Sequence, residues 1–433
     1  MTALWVTAFP HATASTNGGG IFDNISGTPT FGTASARSSG SWIQLTGSAS
    51  IARAGKDFTV AQNTLTCSVY FKLVTSLPTT TTALFLINAT DGVRGSFLYD
   101  QALNKFSMQL TGGTAQSLTG ITPTTDVWYR LDMAAVANAN PHTIDWQVAI
   151  DGSDPVAGTQ ATWSGAGSTF TGWRIGNNDA RTWSGQFTDL IITDNTADHP
   201  IGAHNTCLMY PDADGTYVNS TNCIEDQAGD DLNGTSVVGF SKINTVSSPN
   251  TAPDTTTYLR VGTASAGTYA ETTLSNMTSG GTPLAVMGTI AYTSATTSAN
   301  NAGAVIVDNI TERTIWGATG AYSDYSDGST TNLFFKSAVV TVASISETNV
   351  NALKFRFISG SDATPDPYLI DMWAEVAYLA GATESSSNSP SVSPSISPSA
   401  SISPSISPSV SPSISPSGSP SISPSASISP SIS

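Results

Sequence analysis

The sequence predicts an all-β chain. Apolar residues recur with period two across most of its length, as they do in strands half-buried against a core. Gly, Ser and Thr are abundant, charged residues make up only 11%, and no long apolar segment with helical period occurs. At 433 residues the chain is long enough for two ordinary domains and an additional segment. Its formal charge of −16 argues against a nucleic-acid partner, which would need clustered Lys and Arg facing phosphate. No apolar run is long enough to span a bilayer, so membrane insertion is not expected. The opening MTALWVTAFPHATAST lacks both the basic n-region and the sustained apolar core of a secretory signal. If the protein works outside a cell, the expected route is another one, such as lysis with a virion.

Residues 1 to about 20 are Gly-, Thr- and Ser-rich and read as a loose lead-in. The run ending SARSSGSWIQLTGSASIARAG predicts the first strands of a sandwich. Alternating strands follow at 65–73, 84–88, 96–99 and 105–110, the last with Phe106, Met108 and Leu110 inward. In DVWYRLDMAAV, the residues Val127, Tyr129, Leu131 and Met133 share a face. In HTIDWQVAIDG, the core face carries Ile144, Trp146, Val148 and Ile150, and Asp151-Gly152 closes the strand with turn chemistry. The stretch GWRIGNNDARTWSGQFTDLIITDN then predicts a loop around Gly-Asn-Asn-Asp, between Trp173 and Trp183, feeding a strand at 187–192.

These parts, in this order, resemble those of laminin-G-like, concanavalin A-like lectin domains. The matching elements are Trp128-Tyr129-Arg130-Leu131, Asp151-Gly152, Ile175-Gly176 and Gly185-Gln186-Phe187-Thr188-Asp189-Leu190-Ile191-Ile192. The resemblance implies a concanavalin A-like jelly-roll sandwich over residues 21–203, a fold that hosts many functions. The pattern breaks near residues 198–205, and a second β-rich unit is expected over 206–384. There Leu353, Phe355 and Phe357 oppose Lys354 and Arg356, while Ile370, Met372, Val376 and Tyr378 oppose Asp371 and Glu375. The stretches MYPDADGTYVN, PDTTTYLRV and YLIDMWAEVAY resemble a module of tailed-phage virion structural proteins. That resemblance implies a second β-sandwich serving assembly with other virion proteins, and a virion or extracellular location. Residues 385–433 are S-P-S-x units without charge or aromatics, predicting a disordered tail: a neutral spacer, or a hydroxyl-dense stalk for glycans or phosphate.

Chemistry-bearing residues are sparse. Glucanases of the lectin-like fold use two glutamates on one strand, a spacing suited to retaining hydrolysis, but no glutamate precedes Glu225 and no Asp-x-Asp pair lies on a predicted strand before it. The four histidines are His11, His142, His199 and His204, so no triad built within the second unit has its base. His199, His204, Cys207 and Cys223 meet at the junction, although their spacing departs from that of finger-type zinc sites. Cys67 reads as a small buried hydrophobe, and whether Cys207 and Cys223 pair is left open. Asp212-Ala213-Asp214-Gly215 reads as a surface turn. Rim oxygens of Asp91 and Asp179, with Asn177 and Asn178, are the candidates for a calcium ion.

Seven of the nine tryptophans lie in the first 200 residues. Trp146 is expected in the core. Trp163, Trp173 and Trp183 stand in Gly- and Ser-rich surroundings, where an exposed indole face stacks on a sugar ring while Asn177, Asn178, Asp179 and Arg181 bond its hydroxyls. The resulting expectation is a non-catalytic virion-type structural or adhesion protein that binds a glycan, a host-surface polysaccharide or a protein. Its rivals are a polysaccharide-degrading enzyme with an Asp-based site, a secreted surface adhesin, and a decoration protein that binds nothing.

Overall fold

The computed structural model describes residues 3–379, apart from 8, 10–21, 34–36, 38–40, 91, 138–140, 164–168, 219–223, 227–238, 244–255, 262–265, 278–279, 295–300, 325–328, 341–344 and 361–367. The expectations for the tail at 385–433, for Asp91 and for Cys223 lie outside the described residues. Fourteen strands come first: β1 (Ala3–Thr7), β2 (Asn24–Ser26), β3 (Thr30–Gly32), β4 (Trp42–Gln62), β5 (Thr64–Leu73), β6 (Thr82–Ala89), β7 (Gly92–Asp100), β8 (Lys105–Leu110), β9 (Gln116–Ser117), β10 (Tyr129–Val136), β11 (His142–Ile150), β12 (Val156–Ala157), β13 (Ala161–Trp163) and β14 (Phe170–Thr193). Twelve more follow: β15 (His204–Met209), β16 (Pro211–Val218), β17 (Ile224–Asp226), β18 (Leu259–Val261), β19 (Tyr269–Leu274), β20 (Thr282–Ser294), β21 (Asn301–Asp308), β22 (Thr311–Trp316), β23 (Ser323–Asp324), β24 (Ser329–Val340), β25 (Lys354–Ser359) and β26 (Tyr368–Leu379). Helix among the described residues amounts to short turns and α1 (Glu347–Asn351). The all-β expectation holds.

One long antiparallel pair, β4 with β14, organises the first sandwich. The first half of β14 continues the sheet through β6, β7 and β8, and its second half continues it through β5, β10 and β11. The sheet thus curls over itself and closes on an aromatic core. Phe71 of β5 meets Phe97 of β7 at 5.4 Å and Phe106 of β8 at 5.3 Å, both edge-on. Such contacts add to burial because the edge of one ring faces the electron-rich face of another. Tyr129, Leu131, Met133, Ile144, Trp146 and Val148 all lie in this core, as their alternation predicts. Ile150 departs from it at 39% exposed, being the last residue of β11 before the turn. Cys67 is 1% exposed, and burial pushes its thiol up.

Two segments outside β14 differ from the sequence expectation. Within the expected lead-in, Ala3–Thr7 forms β1, which pairs with the end of β14 and buries Trp5, Val6 and Thr7. The Asp212 to Gly215 segment is part of β16 rather than a turn, with register shifts that absorb its irregular composition.

The second sandwich has two sheets, β17-β18-β26-β20-β24 with β15 on β26, and β16-β19-β25-β21-β22 with β23 on β21. Leu353, Phe355 and Phe357 face its core. So do Met372, Val376 and Tyr378, but Ile370 does not: a bulge opposite Ala291 and Tyr292 turns it to the other face, beside Trp373 and Ala377. That other face is not open to water. Asp371 and Glu375 are 0% and 2% exposed, because the first sandwich covers it through a continuous apolar cluster containing Trp5, Met287, Phe335 and Trp373.

Candidate functional site

The segment expected to be a loop between Trp173 and Trp183 is instead the middle of β14, one continuous strand with register shifts between Asn177 and Arg181 and between Arg181 and Trp183. Asn177 explains why the backbone buckles without opening. Its Oδ1 accepts from the Trp183 Nε1 at 2.9 Å and from the Ala52 amide at 3.3 Å, while its Nδ2 donates to the Asp179 carbonyl. Gly176 precedes it at φ +93°, where any Cβ would collide with the carbonyl oxygen of Ala52. The Ile-Gly of the motif is therefore a steric requirement, and the Asn-Asn-Asp run is a bulge held by its own amide.

This bulge carries the tryptophans inward. Trp173 is 0% exposed and Trp183 3% exposed, so neither indole face is available to a sugar, contrary to the expectation. Period two decides it: Trp173, Ile175 and Asn177 point to the core side, and the hydrogen bond to Asn177 draws Trp183 in after them. Trp163 is placed in β13 opposite His142, and its side chain lies outside the described residues.

The polar residues fare differently. Asn178, Asp179 and Arg181 form one end of a groove of about 360 Å³ on the outer face of β6, β7 and β8. Asn177 only borders it: it is 1% exposed with its amide bonded internally, contrary to the expectation that it bonds a sugar. Its floor is apolar, made by Ala83, Leu86 and Leu98, and its far end carries Gln109 and Thr111. Leu86 pairs across to Ser96 and Ser96 to Gln109, so these side chains stand in one row pointing away from the core. Asn178 accepts from the Arg53 Nη1 at 2.5 Å. Arg181 reaches Asp179 at 3.4 Å, with side chains 36% and 74% exposed, a pair too open to lock either partner. Asp179 is the one carboxylate in the lining, and among the described residues no three His, Cys, Asp or Glu side chains gather as metal ligands. The size suits a small ligand, since such sites run to roughly 300–1,000 Å³.

A denser cluster of ionisable groups lies at the passage from β14 to β15, where the sequence offered His199, His204, Cys207 and Cys223 at a spacing unlike that of finger-type zinc sites. Asp189, the aspartate of the Gly-x-Phe-x-Asp motif, sits at φ +47° in a bulge and is fully buried. Its carboxylate accepts from the Arg37 Nη1 at 3.0 Å and from the amide and hydroxyl of Thr206. Arg37 also pairs with Asp151 at 3.0 Å and lies 3.4 Å from the centroid of the Tyr70 ring. His204 has both ring nitrogens against carbonyl oxygens, of Gly202 at 3.0 Å and Asp189 at 2.7 Å, and burial pushes its imidazole below the ordinary value. The set contains Thr, His and Asp but not a relay. The histidine faces backbone carbonyls rather than the Thr206 hydroxyl, and His204, Thr206 and Asp189 are sealed from solvent. It is a clamp between the two sandwiches.

No family model matches the chain, and no curated protein does. Among solved structures it is similar in part to a cellulose-induced protein, Cip1, at 12% identity over 40% of this chain and 88% of that one, with a TM-score of 0.31. It is likewise similar to the globular domain of T. cruzi calreticulin, at 12% identity over 46% of this chain and 90% of that one, with a TM-score of 0.30. A carbohydrate esterase from the Shiga toxin-encoding bacteriophage phi24B shares 12% identity over 45% of this chain and 99% of that one, with a TM-score of 0.33. These likenesses are partial and distant, and the reading of the groove rests on its own geometry.

Proposed function

We propose that the protein is a non-catalytic binding protein whose first sandwich holds a saccharide in the groove between Gln109 and Asn178. The observation that carries this reading is the groove's composition: an aliphatic floor of Ala83, Leu86 and Leu98 under a rim of amides, hydroxyls and one guanidinium. A sugar ring offers the complementary pair of surfaces, with C–H groups on its faces and hydroxyls on its edge. The non-catalytic part of the proposal is supported by the lone carboxylate, because hydrolysis of a glycosidic bond by the usual route needs two. The proposed setting is a virion or extracellular surface, with host-surface polysaccharide as ligand and other virion proteins as partners of the second sandwich. What supports that setting is the resemblance of residues 206–384 to phage virion modules.

The test is a glycan array probed with the full chain, repeated with Gln109→Leu and Arg181→Ala. Retention of a saccharide by the wild type, lost in both variants at an unchanged unfolding midpoint, is the expected result. Release of reducing sugar from any retained polysaccharide would replace the binding reading with the enzymatic one.

A further inference from the structure

The two amides at the ends of the groove are each held in one orientation, and the orientations are opposite. Arg53 is only a donor, so the Asn178 oxygen must face it. That leaves the Asn178 Nδ2 as the group turned toward the ligand, without a partner among the described residues. At the far end the carbonyl of Gly113 is only an acceptor, and the Gln109 Nε2 donates to it at 3.1 Å, which leaves the Gln109 Oε1 as an acceptor. One end of the groove therefore offers the donors of Asn178 and Arg181 beside the Asp179 carboxylate. The other offers an acceptor. A neutral sugar, whose hydroxyls donate and accept equally, would not need this division.

We propose that the groove selects a carboxylate-bearing saccharide, such as a uronic acid, with its carboxylate held between the Asn178 amide and the Arg181 guanidinium and its hydroxyls toward Gln109. The proposal rests on the saccharide reading above and names its ligand class. Arg53 is the positioning residue: it does not line the groove, but it sets which atom of Asn178 the ligand meets. Burial and the neighbouring Arg174 charge both push the Arg53 guanidinium below its ordinary value. Asp179 opposes the anion. At 74% exposed it is solvated, and its repulsion is screened.

The experiment titrates the full chain with a uronate oligosaccharide, with the same oligosaccharide after reduction of its carboxyl groups, and with a sulfated one of equal length. The uronate is expected to bind at least roughly tenfold tighter than its reduced form, the weight of one charge-assisted hydrogen bond. Arg53→Ala should shrink that ratio, and Arg53→Lys, which can still donate to Asn178, should restore it. Asp179→Asn lies at an exposed position where folding is not at stake, and it should tighten uronate binding. Equal affinity for the uronate and its reduced form overturns the proposal while the saccharide reading stands, and so does preference for the sulfated chain. Binding of none of the three, with no saccharide retained on the array, removes the saccharide reading itself.

Discussion

Trp183 and Asp189 show how single side chains of β14 set the local build. Trp183 packs edge-on against Phe187 with ring centroids 6.2 Å apart, and its indole N–H is committed to Asn177. Trp183→Ala would leave a cavity and an unpaired Asn177 oxygen, so it should cost about 3–5 kcal/mol. Chemical denaturation reads this directly, and a cost within about 0.5 kcal/mol of zero would mean that the indole lies outside the core. At Asp189 the argument is electrostatic. Removing this carboxylate leaves Arg37, whose side chain is 10% exposed, with Asp151 as an ion-pair partner among the described residues, and frees the amide and hydroxyl of Thr206. Breaking a buried pair in this way costs roughly 3–5 kcal/mol, so Asp189→Ala should lower the unfolding midpoint by more than Asp151→Ala, whose carboxylate is 21% exposed. Equal shifts in the two variants would show that the bulge position has no special weight.

At the scale of elements, strands were legible in the sequence because burying one face enforces alternation. The positions of β5, β8, β10 and β11 follow from Val69, Phe106, Leu131 and Trp146 without knowledge of their neighbours. The middle of β14 was not legible. Gly, Asn and Asp signal a loop by local propensity, and the bonds that hold them in a strand, from Asn177 to Trp183 and to Ala52, are tertiary. Asn178, Asp179 and Arg181 still line a groove, because they project outward from a bulge much as they would from a loop. A different element carries a pH prediction. Glu271 of β19 stands opposite Arg356 of β25 and bonds it at 2.7 Å, with Lys354 at 2.8 Å, and Arg356 continues to Glu312 at 3.0 Å. Burial alone would raise the Glu271 carboxyl, but the hydrogen bonds and charges of Lys354 and Arg356 outweigh it and hold it below the ordinary glutamate value. A carboxylate depressed by folding contributes stability that is complete above its unfolded value and lost as pH falls through the folded one. Unfolding midpoints should therefore fall as pH drops below the ordinary carboxylate range, and Glu271→Gln should flatten that decline. An unchanged slope in the variant would assign the acid sensitivity to other carboxylates.

For the whole molecule, the question is whether the two sandwiches are separable, as the break in pattern near residues 198–205 led one to expect. Alternation in β26 could not answer it, because Asp371 and Glu375 alternate with apolar residues in the same way whether the facing layer is water or protein. In the structure the facing layer is protein. Strand β1 pairs with β14 on one side, where Trp5 lies 6.3 Å from Trp173 within the first sandwich, and packs on β20, β24 and β26 on the other. Trp373 and Phe335, both 0% exposed, belong to the same apolar cluster as the core of the first sandwich. Each fully buried side chain of this size contributes roughly 1.5–3 kcal/mol, so exposing even these two would take a sizeable part of what a small β-sandwich has in reserve, about 5–15 kcal/mol. The clamp of Arg37, Asp189, His204 and Thr206 adds polar bonds at the same seam. Residues 1–384 should accordingly unfold in one calorimetric transition, and Trp5→Ala should either lower it as a whole or split it in two. Residues 206–384 alone should bind a hydrophobic dye and associate. Two transitions in the intact chain that Trp5→Ala leaves in place, with a soluble, dye-free second half, would mean that the seam is a contact of convenience and that each sandwich carries its own stability.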